Sequence, residues 1–125
     1  MIVDRWEDLA TTDFGRFDPE KAVAVLPVAA VEQHGPHLPL GTDAIICDAI
    51  LDIALARLDA AAPVLRLPTQ RVGHSPEHTG FPGTLTLRAE TALALWTEIG
   101  RSVAAAGIRK LLLFKIGRAS CRERV

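Results

Sequence analysis

Five stretches of the chain carry a hydrophobic pattern, and their periods separate strands from helices. Residues 22–28 (Ala-Val-Ala-Val-Leu-Pro-Val) form a continuous apolar run of strand length, as expected of a strand covered on both faces in a parallel sheet. From Thr42 the spacing becomes helical: Ile46, Ala49, Ile50, Ile53, Leu55 and Leu58 recur every three to four residues, with Asp48, Asp52, Arg57 and Asp59 mostly between them. Pro63 follows three alanines and stops that helix, and residues 64–67 give a second short strand. Residues 90–106 predict a second helix with Leu93, Trp96, Ile99 and Val103 on one stripe, which makes Trp96 a core residue. Gly107 is suited to cap its C-terminus, and residues 111–114 give a third strand, expected to be buried. Strand, helix, strand, helix, strand with short links predicts an α/β fold, a mostly parallel sheet between two helical layers. Residues 1–21 lack a clean period and are expected to form a short helix or an arm on the body.

Between the predicted strands and helices lie two polar loops. This position matters, because ligands in open α/β sheets sit beyond the carboxyl ends of the strands. The first loop, Val-Glu-Gln-His-Gly-Pro-His-Leu-Pro-Leu-Gly-Thr-Asp, starts at Val31 and ends at Asp43. Pro36 and Pro39 rule out a continuous helix, so Glu32, His34, His37 and Asp43 project from a bent backbone. Carboxylates and imidazoles together make a mixed N/O donor set, and the loop has no thiolate. That combination favours a catalytic ion over a structural zinc, which is usually enclosed by cysteines. Alone, Asp43 or Thr42 reads as a helix cap; beside Glu32 and His34, Asp43 reads as a ligand. The second loop, residues 68–86, holds His74, Ser75 and His78. Pro76 interrupts the four-residue spacing of the two histidines, and the zincin arrangement is absent. These three side chains also fit as ordinary loop residues satisfied by backbone and water.

The run Glu32-Gln33-His34-Gly35-Pro36-His37-Leu38-Pro39-Leu40, closed by Thr42-Asp43, resembles the signature of the creatininase family of metal-dependent amidases. A second stretch, Gly73-His74-Ser75-Pro76-Glu77-His78 with Phe81-Pro82-Gly83-Thr84, resembles that family's next block in order and separation. The resemblance implies a creatininase-like three-layer αβα fold and two divalent metal ions, zinc, manganese or iron. Glu32 and His34 would each hold one ion and Asp43 would bridge them, with Ser75 and His78 on the substrate side. It implies hydrolysis of a small or cyclic amide C–N bond through a metal-activated water, with creatinine, formylated pyrimidine intermediates and small peptides among the family's substrates. A homo-oligomer is implied for the full-length protein. A Rossmann-type nucleotide domain is the other α/β possibility, but Pro36 stands where close backbone approach to phosphate is needed.

Charge and composition narrow the partners. A net charge of −1 gives no electrostatic pull toward nucleic acid or anionic membrane. The charged start, Met-Ile-Val-Asp-Arg-Trp-Glu-Asp, lacks the apolar centre of a secretory signal, which makes the cytoplasm the default location. Cys47 and Cys121 form no spacing motif.

Residues 116–125 (Ile-Gly-Arg-Ala-Ser-Cys-Arg-Glu-Arg-Val) break the pattern. In the resembled family this strand leads into an Asn-Gly-His block with a further metal-binding histidine. Here the ten residues match the translation of ATC GGA AGA GCG TCG TGT AGG GAA AGA GTG, a run within a common sequencing adapter. The expected division is therefore an arm at 1–21, the N-terminal half of an amidohydrolase domain at 22–115, and a non-native tail at 116–125. Without the tail, 11 basic and 14 acidic residues remain. A half-domain of this kind is expected to be inactive by itself, or to serve as a binding or assembly module, with exposed faces and an unpaired strand edge.

Overall fold

The computed structural model describes residues 3–58 and 63–117. Four parallel strands form one sheet in the order β1-β3-β2-β4: β1 (Val3–Arg5), β2 (Val23–Val28), β3 (Val64–Arg66) and β4 (Lys110–Lys115). Helices α1 (Thr42–Ala56) and α2 (Ala89–Ala105) complete the αβα arrangement. β2 lies in the middle, and its alternating side chains feed both faces. Ala24, Leu26 and Val28 join Leu65, Leu67, Val103 and Ile108 in one core, onto which Trp96 and Ile99 of α2 and Trp6 and Phe14 of the N-terminal segment pack. Val25 and Val64 join Leu51 and Leu55 of α1 on the other face.

The N-terminal segment contains a strand that its sequence conceals. β1 is only three residues long, too short to show a period, and it exists by pairing Val3 with Val64 and Arg5 with Arg66. Two 3-10 turns follow, Trp6–Asp8 and Thr11–Arg16, so the segment packs on the body as an arm.

α1 begins at Thr42 as expected but turns a different face inward. Ala44, Cys47, Leu51 and Leu55 are buried, whereas Ile45, Ile46, Ile50 and Ile53 are exposed. The helix is apolar around most of its circumference, so periodicity alone had no means of choosing the side; the smaller Ala44 and Cys47 allow closer approach to the sheet. Neither Thr42 nor Asp43 caps it by a side-chain bond: Gly41 is the N-cap residue, and the Thr42 hydroxyl donates to the Pro39 carbonyl at 2.5 Å. Within α2, Val103 is buried and Trp96 and Ile99 are partly so, but Leu93 is exposed and Ala92 takes the inner place.

α2 ends as the glycine predicts. Gly107 has φ +92°, its N–H donates to Ala104 C=O and the Ile108 N–H to Val103 C=O, while Val103 and Ile108 meet in the core. β4 departs from expectation: Leu111, Leu112 and Leu113 are exposed, because among the described residues neither helix packs substantially over this edge strand. Among the described residues no helix is long and apolar enough to cross a membrane. Cys47 is a free, buried thiol, and Cys121 lies outside the described residues.

Candidate metal centre

The two polar loops leave the carboxyl ends of β2 and β3 side by side and are stitched together by backbone. Ala29 N–H donates to Gln70 C=O, Leu85 N–H to Val31 C=O and Leu87 N–H to Gly73 C=O. At the closest approach a side chain is impossible: a Cβ on Gly73 would lie 2.4 Å from the Ala29 carbonyl oxygen. The Gln33 N–H donates to Thr84 Oγ1 and the Ser75 N–H to Thr86 Oγ1, which anchors each loop to the segment before α2.

This frame brings Glu32, His34 and Asp43 together, with one donor atom from each lying within 4.8 Å of the others. Glu32 is 2 % exposed, and its Oε2 has no hydrogen-bond partner. An orphaned carboxylate oxygen at that depth is costly unless a cation or proton meets it. His34 is oriented for ligation: Nδ1–H donates to the Glu32 carbonyl at 2.9 Å, which leaves Nε2 pointing toward Asp43 Oδ1 at 3.3 Å. The Glu32 carbonyl accepting that bond raises the His34 pKa, Asp43 adds to the rise, and burial opposes it. Burial pushes the Glu32 carboxyl up, Asp43 pushes it further up, nearby His78 opposes them, and the net shift is upward. Asp43 comes from the first turn of α1, so helix and loop hold the group from two sides.

Glu32 also belongs to a second donor group, with Glu77 and His78. His78 Nε2 stands 3.5 Å from Glu32 Oε2 and 3.9 Å from Glu77 Oε1. Ser75 is fully buried, and its hydroxyl makes no hydrogen bond. Two other histidines stay apart from the cluster. His37 is exposed, and His74 donates from Nδ1 to the Leu87 carbonyl, a structural bond. Sequence reasoning passed over Gln33 and Glu77, whose roles depend on contacts between loops more than forty positions apart.

A mixed donor set of one imidazole and two carboxylates around an orphaned buried oxygen fits a divalent ion. The family model described as creatininase, creatinine amidohydrolase, matches residues 7–116. A "Mycofactocin precursor peptide peptidase" from Mycobacterium tuberculosis is 42 % identical over 86 residues, which cover 64 % of this chain and 34 % of that one. The "Creatinine amidohydrolase" of Pseudomonas putida is 33 % identical over 96 residues, covering 73 % of this chain and 35 % of the enzyme. A solved structure titled "Creatininase Mn" superposes with a TM-score of 0.77 at 26 % identity, covering 89 % of this chain and 44 % of its own. This chain therefore spans about a third of the length of the curated relatives it matches. The fold, the two loops and the family match over residues 7–116 together show that the chain belongs to the creatininase family.

Proposed function

We propose that Glu32, His34 and Asp43 form the part of a two-ion amidohydrolase site that this chain contributes, with Glu32 and His34 on separate ions and Asp43 between them. The observation that carries this reading is the unpartnered, buried Oε2 of Glu32 beside a histidine whose other nitrogen is already fixed. Zinc, manganese or iron at such a site lowers the pKa of water and polarises a carbonyl, the chemistry needed to hydrolyse a small or cyclic amide C–N bond. Ser75 and His78 belong to the second loop, His78 with Nε2 3.5 Å from Glu32 Oε2, and in this reading they lie on the substrate side. The peptidase and creatininase names of the relatives support an amide as the bond attacked.

The loop after β4 is the natural entry for further ligands. A Cβ on Gly117 would lie 3.6 Å from Asp43 Oδ1, so the residues following β4 arrive at the cluster. Among the described residues this cluster offers three ligands, and further ligands would complete a two-ion site. The exposed leucines of β4 favour a second reading, a half-domain that acts by association. A crystal grown with zinc and measured across the zinc absorption edge tests the first reading. An anomalous peak among Glu32, His34 and Asp43 is expected, and a fully ordered site without one would refute it.

A further inference from the structure

Glu32 is shared by two donor groups, one with His34 and Asp43, the other with Glu77 and His78. The two groups compete for one carboxylate, and the hydrogen bonds around Gln33 bear on which of them it serves. The Gly35 N–H donates to Gln33 Oε1 at 3.0 Å. An N–H only donates, so the amide atom facing Gly35 is the oxygen, and the Gln33 NH2 faces the other way. There it meets His78 Nδ1 at 2.9 Å. A nitrogen that accepts from an amide NH2 carries no proton, so in the neutral ring the proton sits on Nε2. Nε2 stands 3.5 Å from Glu32 Oε2, close enough that a lone pair facing the carboxylate would be repelled, though no hydrogen bond is formed.

We propose that Gln33 is a positioning residue that holds His78 as the Nε2–H tautomer, so that His78 orients Glu32 instead of ligating, and the ion goes to Glu32, His34 and Asp43 rather than to Glu32, Glu77 and His78. A protonated Nε2 has no lone pair to give a metal. The selection is built from the first loop itself. Gly35 fixes the amide of Gln33, Gln33 fixes the ring of His78, and that ring faces the carboxylate that precedes Gln33 in the chain. The consequence for the ion rests on the proposed ligand set; the tautomer does not.

The tautomer is read directly by nitrogen NMR of the metal-free chain labelled with 15N-histidine, at a pH well above the ordinary imidazole value of about 6.5. His78 should show a bare Nδ1 and a protonated Nε2. In Gln33→Glu the new carboxylate demands a donor, so Nδ1 should become protonated; in Gln33→Leu the preference should weaken. A native His78 protonated on Nδ1 overturns the proposal without reference to any variant. Titration with zinc alone then tests the selection. Gln33→Leu should bind about tenfold more weakly, as expected when a residue supporting a ligand is lost. Glu77→Gln should leave zinc affinity within about twofold, whereas loss in Glu77→Gln equal to that in Asp43→Asn refutes the selection. If the native chain takes no zinc, the ligand reading fails, while the nitrogen spectrum still decides the tautomer.

Discussion

Two regions of this molecule invert the usual partition of polar and apolar groups, in opposite senses. In the paired loops Glu32 and Ser75 are buried, at 2 % and 0 % exposure, with orphaned oxygens. Across β4 and the outer side of α1, Leu112 and Ile53 stand 53 % and 55 % exposed. The first inversion is the mark of a site, since buried polar atoms without partners are tolerated where a ligand supplies them. The second is an exposed apolar surface, made by the outer isoleucines of α1 and the leucines of edge strand β4, of the kind that favours association. The loops are held by hydrogen bonds between them; the apolar surface is held against nothing among the described residues.

The largest effect should come from separating the loops. Gly73→Ala drives a Cβ against the Ala29 carbonyl, and a backbone oxygen there has little room to yield. A loss of about 1–3 kcal/mol in denaturant unfolding is expected, with weakened zinc binding because both loops shift. Unchanged stability would mean that the stitching is slack.

Next is the polar tie between α1 and the end of β3 with the loop that follows it. Asp48 accepts from Arg66 at 3.1 Å, Thr69 at 2.6 Å and Arg71 at 2.7 Å. Burial alone would raise its pKa, but Thr69, Arg71 and Arg66 outweigh burial and hold it low. A carboxyl whose folded pKa is depressed stabilises the fold above its unfolded pKa, near 3.9, and that contribution is lost as pH falls through the lower folded value. Asp48→Asn should cost about 1–2 kcal/mol at neutral pH and flatten the acid limb of the stability curve below about pH 4. Parallel acid limbs in the two proteins would contradict this.

The smallest effect on stability should come from the apolar surface. Leu112→Lys changes an exposed side chain and should move unfolding by less than about 0.5 kcal/mol. It should nonetheless reduce self-association measured by sedimentation, since a charge on an edge strand discourages pairing. Association equal to that of the native chain would place the sticky surface elsewhere.

How much of this was legible in the sequence follows the same division. The helices and β2 declared themselves through period and length, and Gly107 through its cap. Glu32, His34 and Asp43 stood out because one short, proline-bent stretch carries all three. β1 was hidden because three residues have no period and owe their conformation to β3. The inner face of α1 was misassigned because isoleucines surround it, and the exposure of β4 depends on which strands exist to pair with it. Gln33 and Glu77 gained meaning only when folding set Gln33 against His78, 45 positions later, and the His78 ring within reach of both carboxylates.

The most direct test of the central claim is calorimetric titration of the chain and of its His34→Ala variant with zinc. The native chain should bind, and loss of the His34 imidazole should weaken binding by more than about a hundredfold, beyond the effect of a supporting residue. Equal affinity in the two proteins, or no binding by a folded native chain, would contradict it.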